Sequence, residues 1–258
     1  MTALVACGDQ VALEVGPGEP ESEGGKADSG ADRTELKVTI APGDIRRARY
    51  RLALSNAQSQ QRQIWFFDTP SLELFDAGTI LRARQIDDAA DESTVKLRPF
   101  TLAQLAPQFR DLDGLKCEVD RLPDSATPSC SLKVEQDRGE IAAVDRGDRD
   151  LDQLFSTEQE ALLAAYGPPI GLDALAVLGP IRARVWTLRS AELSEAATAE
   201  LWYMPDGGET LELSMKVDSG DAELGMAELI DFIEARGLEL DKEQESKTRR
   251  ALEALIAP

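Results

Sequence analysis

Phe66 to Arg98 reads FFDTPSLELFDAGTILRARQIDDAADESTVKLR, and the alternation of polar and apolar positions along it decides the fold. An aromatic strand over Ile64–Phe67 leads in. Asp68-Thr69-Pro70 turns the chain, because proline presets its own φ and pushes the residue before it out of the helical region. A helical turn over Ser71–Ala77 sets Leu72 and Phe75 on one face, and Gly78 stops it. Thr79–Gln85 and Ser93–Arg98 are then predicted strands. Arg82 and Arg84 recur at spacing two in the first, Lys96 and Arg98 in the second, while Leu81, Ala83, Val95 and Leu97 fill the opposite faces. Two such neighbours present four cations to one space, which is the lining of an anion site.

The segment resembles the CYTH family, the triphosphate tunnel metalloenzymes, whose members carry a YFDTP-like turn, an aGxxLRxR strand and a following xxKLR/P strand. FFDTP, AGTILRAR and TVKLRP match that order nearly residue for residue. The resemblance implies strands closed around a charged tunnel that grips a phosphate chain and holds Mg²⁺ or Mn²⁺.

Composition narrows the chemistry independently. A chain of 258 residues can bury a sizeable core as one large β domain or two small ones. Its net charge of -20 repels nucleic acid and anionic membrane, so a polyanion site must be local. It has no histidine, which excludes Ser-His-Asp and Cys-His catalysis and His-ligated zinc. Metal chemistry would rest on carboxylates, which suit Mg²⁺ or Mn²⁺.

Leu4-Val5-Ala6-Cys7 has the form of a bacterial lipobox, in which Cys7 would carry lipid, or is a chance match at an ordinary N-terminus. The basic and apolar leader of a working signal does not precede it, so a true signal peptide would begin upstream. Gly8–Asp32, rich in Gly, Glu, Asp, Ser and Pro, has the composition of a flexible linker. Residues 1–32 are therefore set apart as lipobox and leash, and 33–258 as the folded domain. The location expected on this reading is the cell envelope, with the membrane reached only through the lipid; otherwise it is the cytoplasm.

Thr34–Ile40 alternates, with Leu36, Val38 and Ile40 on one face and Glu35, Lys37 and Thr39 on the other. In an ordinary sheet the polar face meets water. The family begins with an ExExK strand whose glutamates hold metal and whose lysine meets phosphate. Glu35 and Lys37 match its second Glu and its Lys, and Arg33 stands where the first Glu belongs. Asp44–Ala57 is a predicted helix with Ile45, Ala48 and Leu52 on one stripe. Its arginines spread around the cylinder as a solvated face. Thr101–Arg110 is open between short helix and loop.

Leu115–Leu122 is a predicted strand, turned at Pro123–Pro128 into Ser129–Glu135. Glu118 and Asp120 resemble the acidic pair that the family places on a middle strand. Cys117 and Cys130 lie on the apolar faces of this hairpin, where they would form a disulfide in an oxidising envelope or remain buried thiols in cytosol. Asp137–Asp152 is charged and is expected to be loop. Ser156 and Gln159 open a helix that runs to about Ala165. Ile181–Leu188 is a strand carrying Arg182 and Arg184, of which Arg184 is closer to the family's basic position. Thr198–Met204 and Glu209–Val217 flank Pro205–Gly208, a hairpin turn. Glu200 and Glu212 fall where the family places late carboxylates, with Ser214 replacing the second Glu of ExE. Asp221–Arg236 is an amphipathic helix ending at Gly237. Lys242–Ile256 is a last helix, in which Ser246–Arg249 resembles the family's SKxxR ending.

The expected architecture is α+β, a closed antiparallel β-barrel with helices outside. Charged faces on most strands turn either to water or inward around a ligand, and burying them unpaired costs several kcal/mol each. In the tunnel, the resemblance makes Lys37, Arg82, Arg84, Lys96, Arg98 and Arg184 the phosphate grip. It makes Glu35, Glu118, Asp120, Glu200 and Glu212 the metal ligands. The expected partner is a phosphorylated small molecule or polyphosphate, hydrolysed as a triphosphatase would or, on a rival reading, bound without turnover. A third reading makes the barrel a scaffold for protein contacts.

Overall fold

Nine strands close on themselves, and a tenth extends the wall. The computed structural model describes residues 12–18 and 33–257. Its strands are β1 (Leu13–Pro17), β2 (Arg33–Thr39), β3 (Gln60–Asp68), β4 (Thr79–Ile86), β5 (Asp91–Leu97), β6 (Leu115–Leu122), β7 (Ser125–Gln136), β8 (Ala176–Ser190), β9 (Ala197–Tyr203) and β10 (Glu209–Asp218). The order β8-β3-β4-β5-β7-β6-β2-β10-β9 closes through β9 on β8. The barrel is mixed rather than wholly antiparallel, because β2 and β6 run parallel, Thr34 against Val119 through Leu36 against Arg121. The long chain between those two strands allows the crossover that a parallel pair needs.

The helices are α1 (Ile45–Arg51), α2 (Glu73–Asp76), α3 (Pro107–Arg110), α4 (Glu140–Asp145), α5 (Thr157–Tyr166), α6 (Ala222–Glu234) and α7 (Lys247–Ile256). Outward apolar positions of β2, β8, β9 and β10, among them Leu36, Trp186, Leu201 and Leu213, are covered by α1 and α6. Those of β3, β4, β5 and β7, such as Trp65, Leu81, Val95 and Leu132, are covered by α3, α4 and α5. Gly78 takes φ +81 between α2 and β4, and a Cβ there would stand 2.0 Å from the Arg98 carbonyl oxygen, so the predicted glycine stop is also a close approach of two backbones.

Several expected boundaries move. Leu13–Pro17 is not linker: β8 outruns β3, and β1 pairs with the free edge from Trp186 to Ser190, seating Leu13 and Val15 on the outer core. The other residues of the expected leash, and Cys7, lie outside the described residues. The first helix ends at Arg51, since Ala53 takes φ 51 and lets both Leu52 and Leu54 turn into the core. The charged stretch after Asp137 contains α4, held by buried Ile141 and Val144. The hairpin turn shrinks to Pro123–Asp124, and Pro128 is tolerated in β7 because it lies beyond Cys130, the last residue paired to β5. The last helix begins at Lys247; before it Leu240 bridges Ile40, and the Gln244 side chain bonds both backbone groups of Thr39.

Candidate functional site

Alternation carries one face of each barrel strand inward, and those inward side chains line a cavity of about 450 Å³. It takes in Glu35 and Lys37 from β2, Arg82 and Arg84 from β4, Lys96 from β5, Glu118 and Asp120 from β6, Glu200 from β9 and Glu212 from β10. Arg98, just past β5, and Lys247, opening α7, complete the polar wall. Ten of the chain's 28 Lys and Arg residues line it, against six of its 48 Asp and Glu residues. A chain of net charge -20 thus encloses a space of net positive charge. Further along the same inward faces the lining turns apolar: Ile64 and Phe66 follow Arg62, Trp202 follows Glu200, and Ala251 and Leu252 of α7 pack against them.

The turn of the FFDTP stretch serves the frame. The Asp68 carboxylate accepts from the backbone N–H groups of Thr69 (2.7 Å), Leu74 (2.9 Å) and Phe75 (2.9 Å), and Thr69 Oγ1 accepts from Glu73 N–H. Asp68 therefore caps α2, whose end leads through Gly78 into the arginines of β4.

Asp120 is the hub of the first charge group. Its Oδ1 accepts from Lys37 Nζ at 2.5 Å, and its Oδ2 from Lys96 Nζ at 2.7 Å and Ser129 Oγ at 3.2 Å. Lys37 also lies 2.8 Å from Glu35 Oε2, and Glu118 Oε2 lies 2.9 Å from Lys116 Nζ and 3.5 Å from Lys216 Nζ. Burial alone would lower the Lys37 pKa, but Glu35 and Asp120, with Glu212 and Glu118, outweigh it and hold the ammonium well above its ordinary value. For Lys96 burial prevails over Asp120, so its pKa falls. Burial would raise Asp120, yet Lys37 and Lys96 hold it well below the usual carboxylate range. One carboxylate oxygen from each of Glu35, Glu118 and Asp120 lies within 4.8 Å of the others. That hard-oxygen donor set fits a divalent cation of the Mg²⁺ or Mn²⁺ class, provided the Lys37 ammonium moves from between Glu35 and Asp120.

The remaining two carboxylates of the expected metal set belong to a second group. Glu200 and Glu212 face each other across β9 and β10, and Lys247 bridges them, hydrogen-bonded to Glu200 and 2.9 Å from Glu212 Oε1. Burial would raise the Glu200 pKa; Lys247, then Arg84 and Arg62, outweigh it and hold it far below the ordinary value. Arg84 pairs with Glu92 at 3.1 Å, and Lys133 lies 3.5 Å from the other Glu92 oxygen.

Lys37, Arg82, Arg84, Lys96 and Arg98 of the expected phosphate grip come together on the cavity wall. Arg184 does not. Its inward neighbours are Ala183 and Val185, and its guanidinium points out of the barrel to Ser59 Oγ at 2.8 Å and the Asn56 carbonyl. Arg62, Arg189, Lys216 and Lys247 line the cavity and were not singled out as site residues in the sequence. The spacing-two rule finds Arg62 only if β3 is begun before Ile64, and finds Arg189 only if β8 is carried past Leu188. Arg33 is at the cavity edge, 3.0 Å from Asp218 Oδ1, and Ser214 lines the cavity. Cys117 and Cys130, opposite each other in the β6–β7 register, are joined as a disulfide on the face away from Glu118 and Asp120.

No family model matches the chain, and no curated protein matches it. Solved structures do. The chain is similar to a "putative adenylate cyclase" from Bacillus halodurans, with TM-score 0.57 and 13% identity over 86% of this chain and 98% of that one. It is similar also to HpAC1, a "putative adenylyl cyclase" from Hippeastrum with a dominant triphosphatase activity, with TM-score 0.58 and 16% identity over 84% and 93%. Such neighbours are of the CYTH, or triphosphate tunnel, family, and at these identities the likeness is one of fold.

Proposed function

We propose that the cavity binds the phosphate chain of inorganic triphosphate, polyphosphate or an organic triphosphate, and that the protein cleaves it as a divalent-metal-dependent phosphohydrolase. The observation that carries this is the concentration of ten cations on one internal wall of an otherwise acidic chain. A cluster so lined is offset by an anion of several charges more readily than by water alone. The fold neighbour with triphosphatase activity supports the choice of anion.

Arg82, Arg84, Lys96 and Arg98 bind phosphate oxygens, the arginines in the forked geometry that suits them. Lys37, drawn from Glu35 and Asp120 to the anion, adds its charge and opens the carboxylates. Glu35, Glu118 and Asp120 would then hold Mg²⁺ or Mn²⁺, which withdraws charge from the phosphoryl group when bound. The fixed cations match charge that develops on the bridging oxygen of the leaving phosphate.

A second reading is retention of the anion without turnover, favoured by the lysines seated among the carboxylates and by Arg33 and Ser214 at two expected ligand positions. Lipidation at Cys7 would put such a protein in the envelope. Because β1 begins at Leu13, roughly 20 Å of extended chain would separate lipid from barrel, too little to hold it far from the bilayer. Phosphate release from triphosphate with Mg²⁺ or Mn²⁺, measured beside calorimetric binding in wild type and Glu35→Gln, decides. Release that is lost in the variant supports the hydrolase; binding without release supports retention; absence of both refutes the phosphate tunnel.

A further inference from the structure

α1 turns Ile45, Ala48 and Leu52 into the core, so at about 100° per residue its outermost side carries Tyr50, flanked by Arg46, Arg47 and Arg51. Tyr50 is 82% exposed. The charge continues past the helix. Arg49 Nη2 donates to Asn56 Oδ1 at 2.9 Å, and Arg184, on the outward face of β8, donates to the Asn56 carbonyl and to Ser59 Oγ. Arg182 is exposed two residues along that face. Arg47 pairs with Asp44, but Arg46, Arg49, Arg51, Arg182 and Arg184 face no carboxylate among the described residues. Elsewhere on the outside, by contrast, Arg121, Arg146, Arg149, Arg236, Arg249 and Arg250 are each paired with Asp or Glu. In a chain with 48 acidic residues against 28 basic ones, five arginines left without acids along one strip make a local field opposite in sign to the whole.

The strip lies on the convex outside of the barrel, and a ring with one apolar and one wet end stands amid its guanidinium groups. Both features suit a fluid sheet of anionic headgroups better than an acidic peptide, which binds in a groove or along a sheet edge. The course of the N-terminal strand agrees. Gln58 Nε2 donates to the Val15 carbonyl, so β1, which would lead to lipid at Cys7, runs beside the strip. We infer that the surface from α1 to Arg182 docks on a bilayer rich in anionic phospholipid, with Tyr50 entering the headgroup layer. The net charge of -20 opposes this only at long range. At physiological salt the screening length is about 8 Å, and headgroups then feel chiefly the arginines they touch. The exposed acids of α6, Glu223, Asp231 and Glu234, lie on the β2 side of α1, away from β8. The inference requires neither lipid at Cys7 nor phosphate in the tunnel.

The test floats the full chain at physiological salt with vesicles of phosphatidylglycerol and phosphatidylcholine in equal parts, or of phosphatidylcholine alone. Wild type should float with the mixed vesicles and not with the neutral ones. Arg46→Gln, Arg51→Gln and Arg182→Gln should each lower the partition coefficient about fivefold, the worth of one basic residue at such a surface, and the triple variant about a hundredfold. Tyr50→Ser should lower it severalfold. Arg146→Gln changes the net charge equally at an ion pair outside the strip and should leave the coefficient unchanged. Circular dichroism and Tm matched to wild type establish that each variant is folded. An equal loss in Arg146→Gln, equal flotation with neutral vesicles, or a wild type that does not float overturns the inference. So does flotation abolished by saturating triphosphate, which would put the headgroup at the cavity. Tighter binding to soluble poly-glutamate would give the strip to an acidic protein instead. Self-association in vesicle-free sedimentation that the triple variant abolishes would give it to a second copy of this chain, and either result refutes the membrane surface.

Discussion

Replacing Asp120 by asparagine should destabilise the free protein while sparing its grip on metal-free triphosphate. Asp120 neutralises Lys37 and Lys96 at 2.5 and 2.7 Å, and the variant leaves both ammonium groups facing each other without it. Removing one partner from a buried pair costs about 3–5 kcal/mol. Lys37 and Lys96 keep 20% and 16% of their side chains exposed to the cavity, which argues for the lower end, about 3 kcal/mol. For a chain of this size that is a fall in Tm of about 6–12 °C. On the proposed phosphate-tunnel reading, triphosphate competes with Asp120 for these lysines in wild type and meets no such competitor in the variant. At a hundredfold excess over Kd the ligand returns about 2.7 kcal/mol, so most of the lost stability should be recovered. Hydrolysis with Mg²⁺ should nevertheless collapse, because one of three converging carboxylates is gone. Acid adds a signature. The folded pKa of Asp120 is depressed, so its stabilisation is full above the ordinary carboxylate value, about 3.9, and is lost as pH falls below that through the folded value. Asp120→Asn should lack that portion of the acid loss. Differential scanning calorimetry and titration with triphosphate in chelator would measure both effects, and a tenfold or greater loss of metal-free affinity in the variant would refute the reasoning.

Arg84→Ala and Lys96→Ala should each weaken triphosphate binding by about 1.5–3 kcal/mol by calorimetry, the worth of a charge-assisted hydrogen bond. Arg184→Ala should bind as wild type does, since its guanidinium serves Ser59 and Asn56 outside the barrel; equal losses in all three would mean that the inward face is misassigned. Peptide mapping of protein made under oxidising conditions should recover Cys117 linked to Cys130, and reduction should cost about 3 kcal/mol for a closed loop of this length. Free alkylation of both thiols without reductant would contradict it.

The cation-bearing pair β4 and β5 was legible because its signals are local and agree: a glycine stop, a short connection and two uninterrupted period-two patterns. β8 misled for a reason that lies in the barrel itself. Its inward face passes from the apolar end, Ile181 and Ala183, to the polar cavity, Thr187 and Arg189. Its outward face inverts that order, from Arg182 and Arg184 to Trp186 and Leu188 under α1. Polarity therefore does not mark one face along the whole strand, and a reading confined to Ile181–Leu188 chooses the wrong arginines. Arg62 escaped by the same inversion, two residues before the apolar Ile64. The division of the five carboxylates into two groups was beyond reach, because it depends on Lys247 returning to β9 and β10 from the far end of the chain. β1 was hidden by its neighbours: the composition of Gly8–Asp32 reads as linker, and only the unpaired edge of β8 makes a strand of Leu13–Pro17.

The contrast between a net charge of -20 and a positive interior makes salt act in opposite directions on the rate and the strength of binding. At about 10 mM salt the screening length is about 30 Å, so an approaching triphosphate feels the whole acidic molecule and is repelled. Near 150 mM it shrinks to about 8 Å, and the anion feels chiefly the wall it is entering, where cations outnumber carboxylates. Association should therefore quicken over this range. The contacts made inside, each a charged pair partly reached by solvent, weaken as salt rises, so dissociation should quicken more and the affinity should fall. Stopped-flow measurement of both rate constants in chelator would resolve the two effects. An association rate that falls steadily from 10 to 150 mM would mean that the mouth already draws anions from beyond the acidic field, and the cations would then have to be exposed at the surface rather than enclosed by the barrel.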